Sequence, residues 1–255
     1  MLDAHMDLVE FRDDLLTEYI TLLNTTGKYS EAYSCMMSHN FHPWEGGEGK
    51  ITAQYVFSLT AMAKQEIEKG NYKKAVELLT KTAEYPHNLG EGKLYGAQEN
   101  LQNYLLGIAY EQLGDSEKAA ASYKKAASGL SEPKSAMYYN DQPPETIFCQ
   151  GMALLRLKRE KDANERFDKL IAYADAHMND EVKIDYFAVS LPDFLVFDDD
   201  LNKKNKVHCL FMKALGLLGK NEKERAEETL NSAYALEKYH FGMNSYKTLF
   251  MNEGE

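Results

Sequence analysis

Leu106-Gly107-Ile108-Ala109-Tyr110-Glu111-Gln112-Leu113-Gly114-Asp115-Ser116-Glu117-Lys118-Ala119-Ala120-Ala121-Ser122-Tyr123 is the stretch that decides the fold. Good helix formers fill it on both sides of Gly114, a residue suited to the left-handed conformation that ends a helix. It reads as two helices joined by a tight turn. Gly107 and Ala119 are small where two such helices cross closely, and Tyr110 and Tyr123 fill the neighbouring holes.

The same corner recurs along the chain. It appears as Gly27-Lys28-Tyr29-Ser30-Glu31-Ala32, Gly70-Asn71-Tyr72-Lys73-Lys74-Ala75, Lys158-Arg159-Glu160-Lys161-Asp162-Ala163 and, with two extra residues, Gly219-Lys220-Asn221-Glu222-Lys223-Glu224-Arg225-Ala226. The closing alanines Ala32, Ala75, Ala119 and Ala163 stand 43, 44 and 44 residues apart, and Ala226 follows 63 later. Leu106-Gly107-x-x-Tyr110 with Ala119-x-x-x-Tyr123 resembles the tetratricopeptide signature. The second copy substitutes Ala63 and Leu79, whereas the fourth keeps Gly151, Ala163 and Phe167. A hairpin of this size cannot bury its apolar face alone, so neighbours must stack.

The expectation is an all-α, tetratricopeptide-like right-handed α-solenoid of about five helix hairpins with long inter-repeat loops. It forms a single domain over 1–255. The hairpins are expected at 7–39, 51–84, 97–128, 145–177 and 203–238, with a long loop at 178–202. Their helices are read as 7–26 and 29–39, 51–69 and 72–84, 97–113 and 116–128, 145–157 and 160–177, and 203–218 and 222–238. Gly27, Gly70, Gly114 and Gly219 are expected to end the first helices in the left-handed conformation.

Composition narrows the function. The chain has 255 residues, 44% hydrophobic and 27% charged, an ordinary globular balance. Its net charge of -11 repels phosphate backbones and anionic bilayers, so neither nucleic acid nor membrane is an expected partner. No run of 18 apolar residues suits a transmembrane helix, and Met1-Leu2-Asp3-Ala4-His5-Met6-Asp7 lacks the pattern of a signal peptide. Three distant cysteines, Cys35, Cys149 and Cys209, fit reduced buried thiols in a cytoplasmic protein.

The period exceeds the 34 residues of a tetratricopeptide repeat by roughly ten, so each unit carries an extra loop. Gly47-Glu48-Gly49-Lys50 recurs as Gly90-Glu91-Gly92-Lys93, 43 residues on, and Ala53-Gln54 as Ala97-Gln98. Loops inserted at one place in a solenoid emerge on one side of it. Aromatics there offer flat apolar surface, while amides and carboxylates give directional hydrogen bonds. The candidate ligand contacts are Trp44, Glu48, Lys50, Asn88, Glu91, Lys93, Tyr139, Asn140, Tyr186 and Asp193. The alternative is that the aromatics are plugs, each packing its loop onto its own hairpin.

The loop segments Phe41-His42-Pro43-Trp44-Glu45-Gly46-Gly47-Glu48-Gly49-Lys50, Asn88-Leu89-Gly90-Glu91-Gly92-Lys93, Tyr139-Asn140-Asp141-Gln142-Pro143-Pro144 and Asp185-Tyr186-Phe187-Ala188-Val189-Ser190-Leu191-Pro192-Asp193 resemble the C-terminal repeat region of a family of large bacterial proteins. Those proteins carry a domain of unknown function, likened to mutarotase-type β-sandwiches, ahead of tetratricopeptide repeats. The resemblance covers nearly the whole chain. It implies that the chain is the tail of a longer protein, and it brings no catalytic residues with it.

Several chemistries fail on their spacing. Gly46-Gly47-Glu48-Gly49-Lys50 is not a phosphate loop, because Trp44 stands where the first glycine belongs and Ile51 follows the lysine. Asp198-Asp199-Asp200-Leu201-Asn202-Lys203 lacks the calcium-loop glycine, and Asp200 or Asn202 reads instead as a helix N-cap. Seven scattered histidines show no zinc spacing, and His42 and His87, in equivalent loops, read as caps or loop packing. A carboxylate pair such as Glu45 with Glu91 carries little information among 40 acidic residues.

No metal or cofactor is expected, and the chain reads as a binding module rather than a self-sufficient enzyme. Two functions stay open. The first is a protein-interaction or domain-docking module that holds a protein or the upstream domain of the same polypeptide. Its concave groove would be lined by Tyr55, Gln98, Tyr104, Phe148 and Gln150. The second is a module for carbohydrate or another small ligand, using the aromatic loops.

Overall fold

The computed structural model describes residues 2–135, 142–182, 200–238, 240 and 242–244. Among these all regular structure is helical. A 3-10 turn, Leu2–His5, leads into α1 (Met6–Phe11), α2 (Asp13–Thr25), α3 (Tyr29–Met37), α4 (Lys50–Glu68) and α5 (Tyr72–Lys81). Then come α6 (Asn100–Gln112), α7 (Ser116–Ala126), α8 (Pro144–Arg156), α9 (Glu160–His177), α10 (Leu201–Gly219) and α11 (Lys223–Leu236). The chain gathers into two compact units, Met1–Ala97 and Gln98–Glu255.

Within each unit, helices consecutive in sequence pair and lean on the next pair. In the first unit α2 and α3 pack on α4, and α4 on α5. In the second, α6 and α7 pack together and on α8, and α10 packs on α8, α9 and α11. The closing alanines Ala32, Ala75, Ala119, Ala163 and Ala226 are all buried. A Cβ on Gly107 would lie 2.3 Å from the Tyr123 ring, and one on Gly151 2.3 Å from Phe167. Small residues therefore admit an aromatic ring against the backbone of the facing helix. The pair α2–α4 is joined by a buried polar set. Asn24 Nδ2 donates to Gln54 Oε1 (2.8 Å), and Ser58 Oγ donates to Asn24 Oδ1 (2.8 Å).

The corners divide into two kinds. Gly27, Gly70 and Gly114 have positive φ (82°, 77° and 78°), the left-handed conformation expected of them. Gly219 does not. It lies within α10, where a Cβ would meet the Phe167 ring at 2.3 Å, and Asn221 takes the positive φ instead (62°). The fourth corner has no glycine, so Lys158 adopts φ 59°. The first expected helix, 7–26, breaks at Arg12, whose φ and ψ (-118°, 116°) are extended. The Asp200 N-cap is present, its side chain accepting from Lys203 N. Cys149 and Cys209 are buried thiols, and Cys35 is partly buried.

Candidate functional site

In the first unit the two long loops, 38–49 and 82–97, are locked to each other. Phe41 N donates to Asn88 O (2.8 Å). Asn88 Nδ2 donates to Met36 O (2.8 Å) and His39 O (2.7 Å), carbonyls at and just past the end of α3. Gly49 N donates to Glu91 Oε2 (2.9 Å). Gly90, at φ 74°, lies so close that a Cβ would sit 2.5 Å from Phe41 O. Phe41 and Leu89 are buried beneath this crossing.

Two further clamps hold the loops to helices. The Asp13 carboxylate, in the first turn of α2, pairs with His39 Nε2 (2.6 Å) and accepts from His42 N (2.7 Å), with His42 Nδ1 at 3.2 Å. Partial burial works against its ionisation, but those hydrogen bonds hold the Asp13 carboxyl below its ordinary value. Lys93 Nζ donates to Thr82 O (2.9 Å) and Ala83 O (3.2 Å), the carbonyls just past α5, where a cation suits the negative helix end.

These contacts settle where the sequence candidates fall. Asn88, Glu91 and Lys93 spend hydrogen bonds on loop and helix backbone. Lys50 opens α4. Trp44 is partly buried over Gly47, whose Cβ would meet the indole at 2.1 Å, and Glu48 is exposed. Tyr139, Asn140, Tyr186 and Asp193 lie outside the described residues. The repeated Gly-Glu-Gly-Lys motif does two different jobs, since α4 starts at Lys50 while α6 waits until Asn100, seven residues after Lys93.

The groove candidates need correction. Tyr55, Tyr104, Phe148 and Gln150 are buried and offer no surface to a peptide; Gln98 alone is exposed. Their size explains it, because large rings fill the spaces that the small residues leave. Tyr104 packs on Tyr123 and Phe148 on Phe167, with centroids 6.0 Å apart in both. Tyr55 donates to Lys81 O (3.1 Å), and burial pushes its phenol up to about 12. Gln150 Nε2 donates to Leu130 O (2.7 Å), one of several amides gathering the segment after α7. Asn100 takes Ala126 O (2.7 Å) and Ser128 O (2.8 Å) in the same way.

What the sequence did not reveal is an exposed apolar turn. Ala97 N donates to Leu94 O (3.1 Å), closing the turn Leu94-Tyr95-Gly96-Ala97 with Gly96 at φ 83°. Leu94 is 74% exposed and Tyr95 fully so. In the second unit two neighbouring titratable groups were also missed. The Glu145 carboxyl of α8 lies near His240, both about 3 Å from where a Gly242 Cβ would stand (2.9 and 3.1 Å). Burial raises Glu145 to about 7. Burial, with His208 nearby, lowers His240 to about 4. Met243 is buried beside them, and its carbonyl accepts from Tyr234 Oη (3.0 Å).

Among the described residues no cluster of His, Cys, Asp and Glu is arranged to hold a metal, and no helix is long and apolar enough to cross a membrane. No family model matches the chain, and no solved structure matches it.

Proposed function

We propose that the chain is a protein-interaction or domain-docking module built from tetratricopeptide-like hairpins, which contacts its partner through the interlocked loops of the first unit. The observation that carries this reading is the Leu94–Tyr95 turn. A hydrogen-bonded turn with a left-handed glycine presents two large apolar side chains to water. Lys93, just before it, is tied to the end of α5. With the turn's backbone held, only the two side-chain torsions of Tyr95 are left to order on binding, which is how a small anchor gains affinity. The partner is a protein, the upstream domain implied by the resemblance being one instance, and the setting is the bacterial cytoplasm.

A photo-crosslinker placed at position 95 in the native host tests the reading. One recurrent protein adduct is expected from position 95, and none from exposed Lys161. Equal adducts at both positions, or none at either, defeat it. A carbohydrate reading rests on Trp44, whose ring lies partly open on the Gly46–Gly47 corner beside exposed Glu48. Its check is a glycan titration followed by Trp44 fluorescence, the chain having a single tryptophan. A saturable response, matched by calorimetric binding that Trp44→Phe abolishes, would move the rim to small ligands.

A further inference from the structure

The first unit holds a cleft of about 570 Å³, walled by the α2–α3 corner, the last two turns of α4 and one side of α5. Pockets for small ligands run from about 300 to 1,000 Å³ and combine an apolar lining with a few convergent polar groups. This cleft has both. Its floor is Tyr29, Met62 and Leu78, of which Tyr29 and Leu78 are buried and Met62 half-buried. The Tyr29 ring stands edge-on to Phe57, with centroids 5.9 Å apart, so the floor is held from behind.

Charge selects the ligand. The chain carries a net charge of -11, yet the cleft is lined by three lysines, Lys28, Lys69 and Lys74, against two carboxylates, Glu31 and Glu66. Lys28 lies 3.5 Å from Glu31, Lys69 2.9 Å from Glu66, and Lys74 3.1 Å from Glu77, the last outside the cleft lining. All three lysine side chains are more than half exposed. Such pairs are worth little, so a lysine turns from one anion to another at small cost. Glu66 is further engaged by Asn71 Nδ2 (2.8 Å), and Lys69 and Asn71 together hold its carboxyl below the ordinary value. The start of α3 lies on the same wall with no side chain capping it, and its positive end adds to the lysines. We propose that the cleft binds a small organic monoanion, its apolar body on Tyr29, Met62 and Leu78 and its charged group among the lysines. A cation would meet three ammonium groups, and a bare anion would leave the floor uncovered. The inference goes beyond the docking reading and uses neither the loop rim nor Tyr95, so each stands if the other fails.

The test titrates the full chain, labelled at its methionine methyl groups, with phenylbutyrate, phenylbutylamine and inorganic phosphate, each to millimolar concentration. The Met62 methyl resonance, assigned with Met62→Leu, is the readout. Phenylbutyrate is expected to move it saturably, and the amine and phosphate to leave it in place. The pair Lys69→Gln with Lys74→Gln should weaken phenylbutyrate about tenfold, while Lys161→Gln, an exposed lysine of the second unit, leaves it unchanged. Three outcomes overturn the proposal. They are an amine or phosphate response equal to that of phenylbutyrate, no saturable shift with any probe, and a phenylbutyrate response indifferent to Lys69 and Lys74.

Discussion

Lys158 and Gly151 show how single residues bear the cost of the corners and crossings. Lys158 holds φ 59° where other corners use glycine. A left-handed non-glycine costs about 1–2 kcal/mol, part of which glycine returns to the unfolded chain as entropy. Lys158→Gly should therefore raise stability by about 0.5–1 kcal/mol, seen as a later urea midpoint with an unchanged slope. Gly151 behaves oppositely. Its added methyl would overlap the Phe167 ring at 2.3 Å, so Gly151→Ala should cost about 1–3 kcal/mol by the same measurement. An unaltered midpoint would show that α8 and α9 yield more easily than this packing allows.

Among the elements, the loop pair of the first unit depends most on a few side chains. Asn88 donates to two carbonyls at and just past the end of α3, and its removal leaves them without that donor beside buried Phe41. Asn88→Ala should cost about 1–3 kcal/mol. It should also admit chymotrypsin at Phe41, which the native chain protects, while Tyr95 is cut in both. Cleavage patterns that match between the two proteins would mean that Asn88 does not hold the loops together. The repeated motif was legible, but not its divided use. Whether Gly-Glu-Gly-Lys starts a helix or clamps one depends on carbonyls of another segment, which the motif does not contain.

On the scale of the molecule, Glu145 and His240 set how the second unit responds to pH. Glu145 is raised from 4.5 to about 7, so its contribution is complete below about 4.5 and is lost as pH rises through about 7. His240 is lowered from 6.5 to about 4, so its contribution is complete above about 6.5 and is lost as pH falls through about 4. Each is worth about 3 kcal/mol. Between about 4.5 and 6.5 the two slopes oppose, and these groups leave the native protein nearly indifferent to pH. Glu145→Gln should uncover the histidine slope, with stability rising from pH 4 to 6.5. His240→Phe should uncover the carboxyl slope, with stability falling from pH 4.5 to 7. Urea titrations at stepped pH read both, and a flat profile in either variant would contradict the assignment.

The sequence by itself determined that the chain is helical, where its turns fall and that Gly107, Ala119, Gly151 and Ala163 stand at close crossings, because helix propensity and close crossing are written in residues near one another. It did not determine that Gly219 packs rather than turns, since Phe167, fifty-two residues away, makes that choice. Nor did it show that Tyr55, Tyr104, Phe148 and Gln150 face inward, or that Asn88, Glu91 and Lys93 serve the backbone. Only the tertiary structure decided these, because burial and hydrogen-bond partners are fixed by segments distant in sequence.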